Sequence, residues 1–356
     1  MIMSEIIGFE NIATHIKNDL DSDKDVLLYA FNAIGKTRLS CSFENDENIE
    51  SLSYNAIVED YFTWDNEEKI MSILTNTWLF NFIKDEYLEK DILFYFNKFT
   101  DAKIEPLIDF DTGNIQFLLP DENGNRIAVK ISKGEETLFK WSVFYAALKQ
   151  AVDILSEKQE DRSTEEFNNL KYIIIDDPMS SLDEFKIYTL SMQLIKLIQY
   201  VHEKEIDIKF LITTHHVMFY NILFNTLRNR NSKCLFYIMQ NIDQNIYLKN
   251  LGTSTPISYH LKSLAEIKKA FNTNTIRKNH FNIFRSVIEK SSIFLGYSNW
   301  QDLFANYDHK EDLNKIVNMN SHERYMDLET EYLTNEQINI FKDGFDYFIN
   351  TYKIKL

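Results

Sequence analysis

The fold class of this chain is decided by the stretch Ile173-Ile174-Ile175-Asp176-Asp177-Pro178-Met179-Ser180-Ser181-Leu182-Asp183. Three β-branched residues lead directly into two carboxylates, a proline and a serine pair. A buried parallel strand is a continuous apolar run, and α/β proteins bind ligands where such strands end. A carboxylate there suits Mg²⁺ on a nucleotide, although Asp-Asp-Pro also starts turns and caps helices. The stretch therefore predicts an α/β protein and leaves the role of the carboxylates open.

A second stretch, far upstream, favours the nucleotide. It is Leu27-Leu28-Tyr29-Ala30-Phe31-Asn32-Ala33-Ile34-Gly35-Lys36-Thr37-Arg38-Leu39, an apolar strand followed by a near match to G-x-x-x-x-G-K-[ST], with Ala30 at the first glycine. In this motif Gly35 lets backbone N–H groups close on phosphates, Lys36 neutralises the β/γ oxygens and the Thr37 hydroxyl binds Mg²⁺. The alternative is an ordinary strand–turn–helix with an exposed lysine.

Two further motifs lie between and after these stretches. Ile131-Ser132-Lys133-Gly134-Glu135-Glu136 opens a long helical pattern, in which Ser132 and Glu135 have the spacing of a capping box. After Asp183, a second apolar strand ends in histidines, Lys209-Phe210-Leu211-Ile212-Thr213-Thr214-His215-His216. Each motif alone is explained by local structure. Their order along the chain is more specific.

In that order the segments resemble the ATPase head of the ABC superfamily: Walker A, signature, Walker B, D-loop and His-switch. The resemblance implies Mg²⁺ at Thr37 and Asp176, water activation by Asp177 and γ-phosphate contact by His215. It implies nucleotide contacts from Asn32, Gly35, Lys36, Thr37, Arg38, Ser132, Lys133, Gly134, Glu135 and Asp183, with Ser132 and Gly134 contacting the nucleotide of an opposite subunit.

Two positions depart from that pattern. Lys133 replaces a signature glycine, and Asp177 stands where glutamate is usual, one methylene shorter. A misplacement of about 1 Å can cost roughly 100-fold in rate. We therefore expect slow hydrolysis, which fits a switch better than a motor.

Composition predicts a cytoplasmic protein. The 356 residues are 44% hydrophobic and include two cysteines, Cys41 and Cys234, without a pairing pattern, so a reducing compartment is expected. The first residues lack the features of a signal peptide, and no apolar run is long enough to span a membrane. A formal net charge of −16 argues against general nucleic-acid affinity.

That overall charge conceals a basic segment. Residues 251–290 contain seven cations and two anions, whereas residues 301–356 contain six cations and eleven anions. A basic stripe on an acidic protein is typical of a surface that docks a phosphate backbone, although a solvated helix face has the same composition.

The pattern predicts two domains: an ABC-type P-loop ATPase head over 1–248, with a short helical insertion at about 65–110, and a mainly α-helical domain over 249–356. Alternating residues at 115–119 and 127–131 around Asp121-Glu122-Asn123-Gly124-Asn125 predict a hairpin.

The helical domain carries a second candidate constellation. Arg285 and Glu289 are four residues apart, on one predicted helix face, and His322 follows later in the chain. An Arg/Glu pair at this spacing is also a common surface salt bridge. A cation, a carboxylate and an imidazole together could supply the charge stabilisation and proton transfers of phosphodiester cleavage.

From Walker A nearly to its C-terminus, the chain resembles the PrrC-type anticodon nucleases. The matching strings include Tyr29-Ala30-Phe31-Asn32, Ser132-Lys133-Gly134-Glu135-Glu136 with Trp141-Ser142-Val143-Phe144-Tyr145, Ser258-Tyr259-His260-Leu261, Phe294-Leu295-Gly296-Tyr297 and Trp300. The resemblance implies a nuclease site of Arg285, Glu289 and His322 that cleaves a tRNA anticodon loop, typically tRNA-Lys, leaving 2′,3′-cyclic phosphate and 5′-hydroxyl ends without a metal. Tyr259 and His260 are candidates for stacking on loop bases or for the core.

The same resemblance implies cofactors and partners. These are ATP or GTP, with a thymidine nucleotide as a further candidate, Mg²⁺ at the ATPase site, a head-to-tail homodimer or larger oligomer, no membrane, and silencing by a type I restriction–modification complex until a phage disables it. The alternative is a Rad50/SMC-like DNA-associated ATPase clamp without a nuclease, which would need a long coiled coil between Thr37 and Ser132. A transporter ATPase subunit fits the basic helical domain poorly.

Overall fold

The chain forms two compact units, Met1–Pro256 and Ile257–Leu356. The sequence pattern predicts this boundary between residues 248 and 249. The computed structural model describes residues 6–31, 34–43, 50–100, 104–120, 125–179, 182–228, 233–242, 245–252, 259–319 and 333–354. In these ranges no helix has both the length and the apolar character needed to cross a membrane.

The first unit combines strands and helices throughout. In chain order its elements are β1 (Ile6–Ile7), α1 (Phe9–Asp21), β2 (Asp25–Ala30), α2 (Lys36–Cys41), β3 (Ser51–Tyr54), α3 (Ala56–Glu59), β4 (Phe62–Asp65), β5 (Ile70–Ile73), α4 (Trp78–Asp85), α5 (Glu89–Phe99), β6 (Glu105–Ile108), β7 (Asn114–Pro120), β8 (Arg126–Ala128), α6 (Lys133–Ser156), a 3-10 turn (Gln159–Asp161), β9 (Tyr172–Asp176), α7 (Glu184–Glu203), β10 (Lys209–Thr214), α8 (Val217–Leu227), β11 (Cys234–Ile242) and β12 (Asn245–Asn250).

The larger sheet has seven strands in the order β1-β12-β11-β2-β10-β9-β3. From β11 to β3 every pairing is parallel, and the β11–β12 and β12–β1 pairings are antiparallel. All residues of β2 and β9 are buried. Helices therefore cover both faces of the sheet centre, as expected for parallel strands that are continuous apolar runs. The predicted parallel α/β sheet is confirmed.

The smaller sheet corrects one prediction. Its strands are ordered β4-β5-β7-β6, with β8 paired to β7, and every pairing is antiparallel. The segment predicted as a helical insertion, at about 65–110, thus begins with a strand pair and contains β6 near its end, and among its described residues only α4 and α5 are helical. In β5 exposure alternates, with Met71 and Ile73 buried. Such alternation over four residues is too short to stand out beside the aromatic-rich helical pattern that follows.

Helix α6 contacts both sheets. Its capping box at Ser132 and Glu135 is present, which confirms that part of the prediction. The ring of Trp141 lies 5.0 Å from that of Tyr54 in β3, and the ring of Phe139 lies 5.0 Å from that of Phe117 in β7. Because opposite faces of the helix pack on different sheets, α6 is buried on nearly all sides, and the predicted signature segment at its N-terminus is fixed to this core.

The second unit is helical over its described residues. Its elements are α9 (Tyr259–Asn272), α10 (Lys278–Phe294), a 3-10 helix (Trp300–Phe304), α11 (Lys310–Met319) and α12 (Asn335–Thr351). The core consists largely of aromatic rings, with Phe281 of α10 stacked on Phe341 of α12 at 4.0 Å and Phe284 in contact with Phe345. This packing fixes α10, the helix that carries Arg285 and Glu289.

Candidate functional site

The first candidate site lies at the carboxyl edge of the large sheet. In the parallel register Thr213 of β10 is opposite Asp176 of β9 on one side and Leu28 of β2 on the other. The residues that follow β2, β9 and β10 therefore meet at one edge. These are the predicted phosphate-binding loop, the aspartate pair and the histidines.

The described part of the loop has the geometry of a tight strand-to-helix turn. Gly35 has φ +106°, a left-handed conformation that favours glycine, and it is followed by the first residue of α2. A Cβ atom at Gly35 would lie 3.4 Å from the Phe9 ring. Asn32, also predicted to contact nucleotide, lies outside the described residues.

A hydroxyl and a carboxylate suited to Mg²⁺ meet in this site. Thr37 Oγ1 donates to Asp176 Oδ2 at 2.7 Å, and the Thr213 hydroxyl donates to the other oxygen, Oδ1. Asp176 is 7% exposed and Thr213 is fully buried, so the carboxylate is held in one orientation. Magnesium prefers one or two such oxygen ligands together with phosphate oxygens and water. Thr37 and Asp176 fit that preference and would hold the ion.

Asp177 organises the remaining charges of the site. Its Oδ2 lies 3.5 Å from Nζ of Lys36 and contacts Nδ1 of His215, while its Oδ1 accepts from the Thr214 hydroxyl at 3.1 Å. Asp177 itself has φ +55°, uncommon for a residue with a side chain. The structure thus brings together four residues predicted from the sequence: Lys36, Asp176, Asp177 and His215.

His216 differs from its neighbour in role. It is the N-cap of α8, where its Nδ1 accepts the N–H of Phe219 at 3.4 Å. Burial lowers the pKa of His216 below its usual value, and the adjacent His215 lowers it further. His216 is therefore a structural residue beside the site.

The predicted signature and D-loop residues begin helices. Ser132 accepts from the N–H of Glu135 at 3.3 Å, and Glu135 Oε2 accepts from the N–H of Ser132 at 2.7 Å. Lys133 pairs with Glu136 at 2.9 Å, and Gly134 is half-buried in the first turn of α6. Asp183 caps α7, and the backbone N–H of Lys186 holds the pKa of Asp183 below its usual value, with help from the lysine side chain. The side chains of Ser132, Lys133, Glu135 and Asp183 therefore all have partners within the subunit.

The side chain of Arg38 contacts helix α1. Its guanidinium lies 4.0 Å from the centre of the Phe9 ring and 2.8 Å from Glu10 Oε1. Both partners belong to α1, which the motif alone does not indicate. A nucleotide contact by Arg38 remains a sequence-based prediction.

The second candidate site lies on α10. Arg285 Nε donates to Glu289 Oε1 at 2.7 Å, and the two side chains are 25% and 44% exposed. The structure therefore brings the predicted pair together, with part of each group accessible to solvent. His322, the third predicted member, lies outside the described residues.

His260 of α9 belongs to the surroundings of α10. Burial lowers its pKa below the usual value, and the ammonium group of Lys290 lowers it further. Both effects favour the neutral form of the ring, and its stacking on a base remains a sequence-based prediction. The side chain of Tyr259, the other predicted stacking residue, lies outside the described part of the chain.

Sequence reasoning missed Thr213 and Thr214. Thr213 fixes the Asp176 carboxylate and Thr214 fixes that of Asp177. The sequence does contain a signal for these two residues. If β9 and β10 are assumed to be parallel and in register, the two threonines at the end of β10 lie beside the two aspartates at the end of β9.

Comparison with known proteins gives the following similarities. A family model described as "AAA domain" matches residues 108–346. The chain is 36% identical over 328 residues to the protein "Anticodon nuclease" of Escherichia coli, a match that covers 83% of this chain and 81% of that protein.

The similar solved structures have lower sequence identity to this chain. They include an SMC head domain from Thermotoga maritima, with 11% identity, a TM-score of 0.32 and coverage of 66% of this chain and 91% of that one. Another is an Smc head domain with a coiled coil and joint from Pyrococcus yayanosii, with 13% identity, a TM-score of 0.32 and coverage of 51% and 29%.

Proposed function

The chain belongs to the anticodon nuclease family, and from that premise we propose that it is a nucleotide-gated ribonuclease whose substrate is a tRNA anticodon loop. It is a tRNA endoribonuclease with an ATPase domain. The observation that carries the site assignment is the Arg285–Glu289 pair, joined at 2.7 Å and partly exposed on α10, a helix whose other face is buried in the core of the second unit.

The cleavage step needs a base, an acid and a cation that stabilises the charge developing on the phosphate. The 2′-hydroxyl of one nucleotide attacks its own phosphorus, so a 2′-O–P bond forms while the P–O5′ bond breaks. A base takes the proton of the 2′-hydroxyl and an acid gives a proton to the departing 5′-oxygen. The products are a 2′,3′-cyclic phosphate and a 5′-hydroxyl, and the step requires no metal.

The residues divide these tasks by their chemistry. Arg285 is always charged and presents a planar fork, which suits the two non-bridging oxygens of the phosphorane. Glu289 and His322 share the two proton transfers. The bond to Arg285 positions Glu289 for proton transfer, because the ion pair orients both the guanidinium of Arg285 and the carboxylate of Glu289.

The first unit would control the nuclease by binding a nucleotide. Lys36 and the backbone at Gly35 would hold the phosphates of ATP or GTP, with a thymidine nucleotide as a further candidate, and Thr37 with Asp176 would hold Mg²⁺. An ion held there would neutralise phosphate charge during hydrolysis. Asp177, positioned by Thr214 and His215, would activate the water. Because its side chain is shorter than glutamate, hydrolysis is slow and the nucleotide-bound state persists.

A second copy of the chain would complete the nucleotide site. Phe185 and Tyr188 are 65% and 50% exposed and lie one turn apart on α7, directly after Asp183. Exposed apolar residues beside a nucleotide site support a surface that is covered when two heads meet around the nucleotide. We propose a head-to-tail homodimer in which Ser132 and Gly134 reach the partner's nucleotide.

The cellular role follows from the damage such an enzyme would cause. Cleaving a tRNA-Lys anticodon loop stops translation, so the activity must be silent in a healthy cell. We propose a role in anti-phage defence in the cytoplasm, with a type I restriction–modification complex as the silencing partner.

The test is end-mapping of RNA. The purified protein is incubated with total tRNA and Mg²⁺, with and without ATP or GTP, and the cleaved ends are mapped. Nucleotide-dependent cuts in an anticodon loop, lost in Arg285→Ala and His322→Ala, are expected. DNA-stimulated nucleotide hydrolysis without any RNA cleavage would instead identify a DNA-associated ATPase clamp.

A further inference from the structure

The C-terminal end of α10 exposes large apolar side chains. Ile293 is 75% exposed and Phe294 is 88% exposed, and Leu295 follows them in the turn at 45%. Earlier in the same helix, Phe284 and Val287 are almost completely buried in the core of the unit. Two adjacent apolar residues with this exposure indicate a surface that another molecule covers.

This end of α10 continues the face that carries the proposed nuclease pair. Arg285, Glu289 and Ile293 follow one another at intervals of four residues and so lie on one face. At a rise of about 1.5 Å per residue, Ile293 lies about 6 Å beyond Glu289 along the helix axis. The Arg285 side chain bonds to Glu289, so a nucleotide whose phosphate is held by Arg285 lies beside Glu289 and has its neighbouring nucleotide within reach of Ile293 and Phe294.

The net positive charge of α10 favours binding of a polyanion. The helix contains three cations, Lys278, Arg285 and Lys290, and one anion, Glu289. Lys290 is exposed and precedes Phe294 by four residues, so the ammonium and the ring lie on a shared face. Cations interleaved with exposed rings are the arrangement by which proteins bind single-stranded nucleic acid.

The apolar residues are held in place by the end of the helix. The N–H of Gly296 donates to the Ile293 carbonyl at 3.1 Å, and the N–H of Tyr297 donates to the Ser292 carbonyl at 2.9 Å. Gly296 has φ +81°, the left-handed conformation that closes a helix of this type. The Phe294 ring is therefore presented from a fixed backbone, which lowers the entropic cost of binding against it.

We propose that the surface formed by Ile293, Phe294 and Leu295, the α10 platform, stacks on unpaired bases of the RNA loop next to the scissile phosphate. The proposal rests on the proposed function and deepens it, because it gives the nuclease a way to select loops. Unpaired bases can be splayed onto a ring, whereas bases inside a duplex stem cannot. Stacking of one base on an aromatic side chain corresponds to about a 5- to 150-fold change in affinity.

The experiment measures RNA binding by the full-length protein. The probe is a fluorescent tRNA anticodon stem–loop with 2′-deoxyribose throughout the loop, so that no 2′-hydroxyl is available for attack. A perfectly paired RNA duplex of the same length is the comparison. The variants are Phe294→Ala, Phe294→Trp and, as a matched control, Phe94→Ala, which removes an exposed phenylalanine from α5 in the first unit.

The platform predicts that Phe294→Ala weakens stem–loop binding about 5- to 150-fold and leaves duplex binding unchanged. Phe294→Trp should restore stem–loop binding, and Phe94→Ala should bind like the unmodified protein. Equal weakening for duplex and stem–loop would overturn the proposal, because stacking acts only on unpaired bases. Unchanged RNA affinity with a smaller oligomer in light scattering would also overturn it and would identify a second copy as the occupant.

Failure of the platform and failure of the proposed function give different results. If Arg285→Ala abolishes loop cleavage while Phe294→Ala binds normally, the platform is wrong and the nuclease stands. If the unmodified protein with nucleotide neither binds nor cleaves natural anticodon stem–loops, both proposals fall.

Discussion

The Nζ atom of Lys36 lies 3.5 Å from Oδ2 of Asp177, so the cation of the proposed phosphate-binding loop is paired with the carboxylate that directly follows β9. Lys36 is 7% exposed and the Asp177 side chain 19%. An incoming phosphate must compete with this carboxylate for the lysine. Binding of a nucleotide would therefore release Asp177 from Lys36, which links occupancy of the site to the freedom of the group that is proposed to activate water.

Lys36→Ala should abolish nucleotide control of the nuclease. The variant loses the charge that binds the phosphates and leaves Asp177 without its cation, so nucleotide affinity should fall at least about tenfold. Titration with a fluorescent nucleotide measures the binding, and RNA cleavage with and without nucleotide measures the control.

The matched control for that variant is Lys98→Ala, which removes an exposed lysine from α5. It should bind nucleotide normally. Hydrogen exchange in α10 should be the same in both variants, because its core is made by residues of the second unit. Normal nucleotide affinity in Lys36→Ala would contradict the assignment of the phosphate-binding loop.

Thr213→Val should destabilise the first unit and weaken Mg²⁺-dependent nucleotide binding. Valine keeps the shape of threonine but removes the hydroxyl that donates to Asp176, and Thr213 is fully buried. Loss of a hydrogen bond to a charged group costs about 1.5–3 kcal/mol in unfolding free energy. Urea denaturation measures this cost.

The appropriate comparison is Thr189→Val, where the hydroxyl bonds only to the Phe185 carbonyl on the exposed side of α7. Its stability should change by less than about 1 kcal/mol. If both variants lose the same small amount of stability, Thr213 does not position Asp176, the proposed magnesium ligand.

Arg285→Ala should lower RNA cleavage far more than it lowers stability. Removal of one preorganised donor from a developing oxyanion typically costs about 100- to 1000-fold in rate. The ion pair with Glu289 is partly exposed, and pairs of this spacing contribute only about 0.3–0.5 kcal/mol. Single-turnover cleavage and thermal unfolding of the same preparation separate the two effects.

Lys149→Ala provides the corresponding structural control. Lys149 pairs with Asp153 four residues later on α6, which is the same arrangement on a helix of the first unit. This variant should keep full cleavage activity. A purely structural role for Arg285 would make the two variants alike in both measurements.

The main sheet could be predicted because its strands are continuous apolar runs. β9 and β2 are buried throughout, and their ends carry the motif residues, so the position of Asp176 beside Thr37 followed from the fold class. Because both faces of these strands are buried, nearly every residue in them is apolar, and such a run is easy to recognise in the sequence.

The smaller sheet and the partners of Arg38 could not be predicted in this way. β4 and β5 have four residues each, and their stability comes from pairing with one another and, for β5, with β7. Arg38 contacts Phe9 and Glu10, which lie before β2 in the chain and are close to Arg38 only in the folded structure. Both features depend on tertiary contacts, which local patterns do not encode.

The N-cap at His216 should make the first unit less stable in acid. Because burial lowers the folded-state pKa of His216 below 6.5, the unfolded chain takes up a proton first as the pH falls. This contribution to stability is therefore complete above about pH 6.5 and is lost as the pH falls through the folded-state pKa. Protonation also removes the lone pair of Nδ1 that accepts the N–H of Phe219.

His216→Asn separates capping from titration. Asparagine is a good N-cap that does not titrate, so this variant should match the unmodified protein at pH 7.5 and become the more stable of the two towards pH 5. His216→Ala should lose about 0.5–2 kcal/mol at pH 7.5 because the cap is absent. Urea denaturation across this pH range measures both effects. Parallel pH profiles for His216→Asn and the unmodified protein would show that His216 does not cause the acid sensitivity.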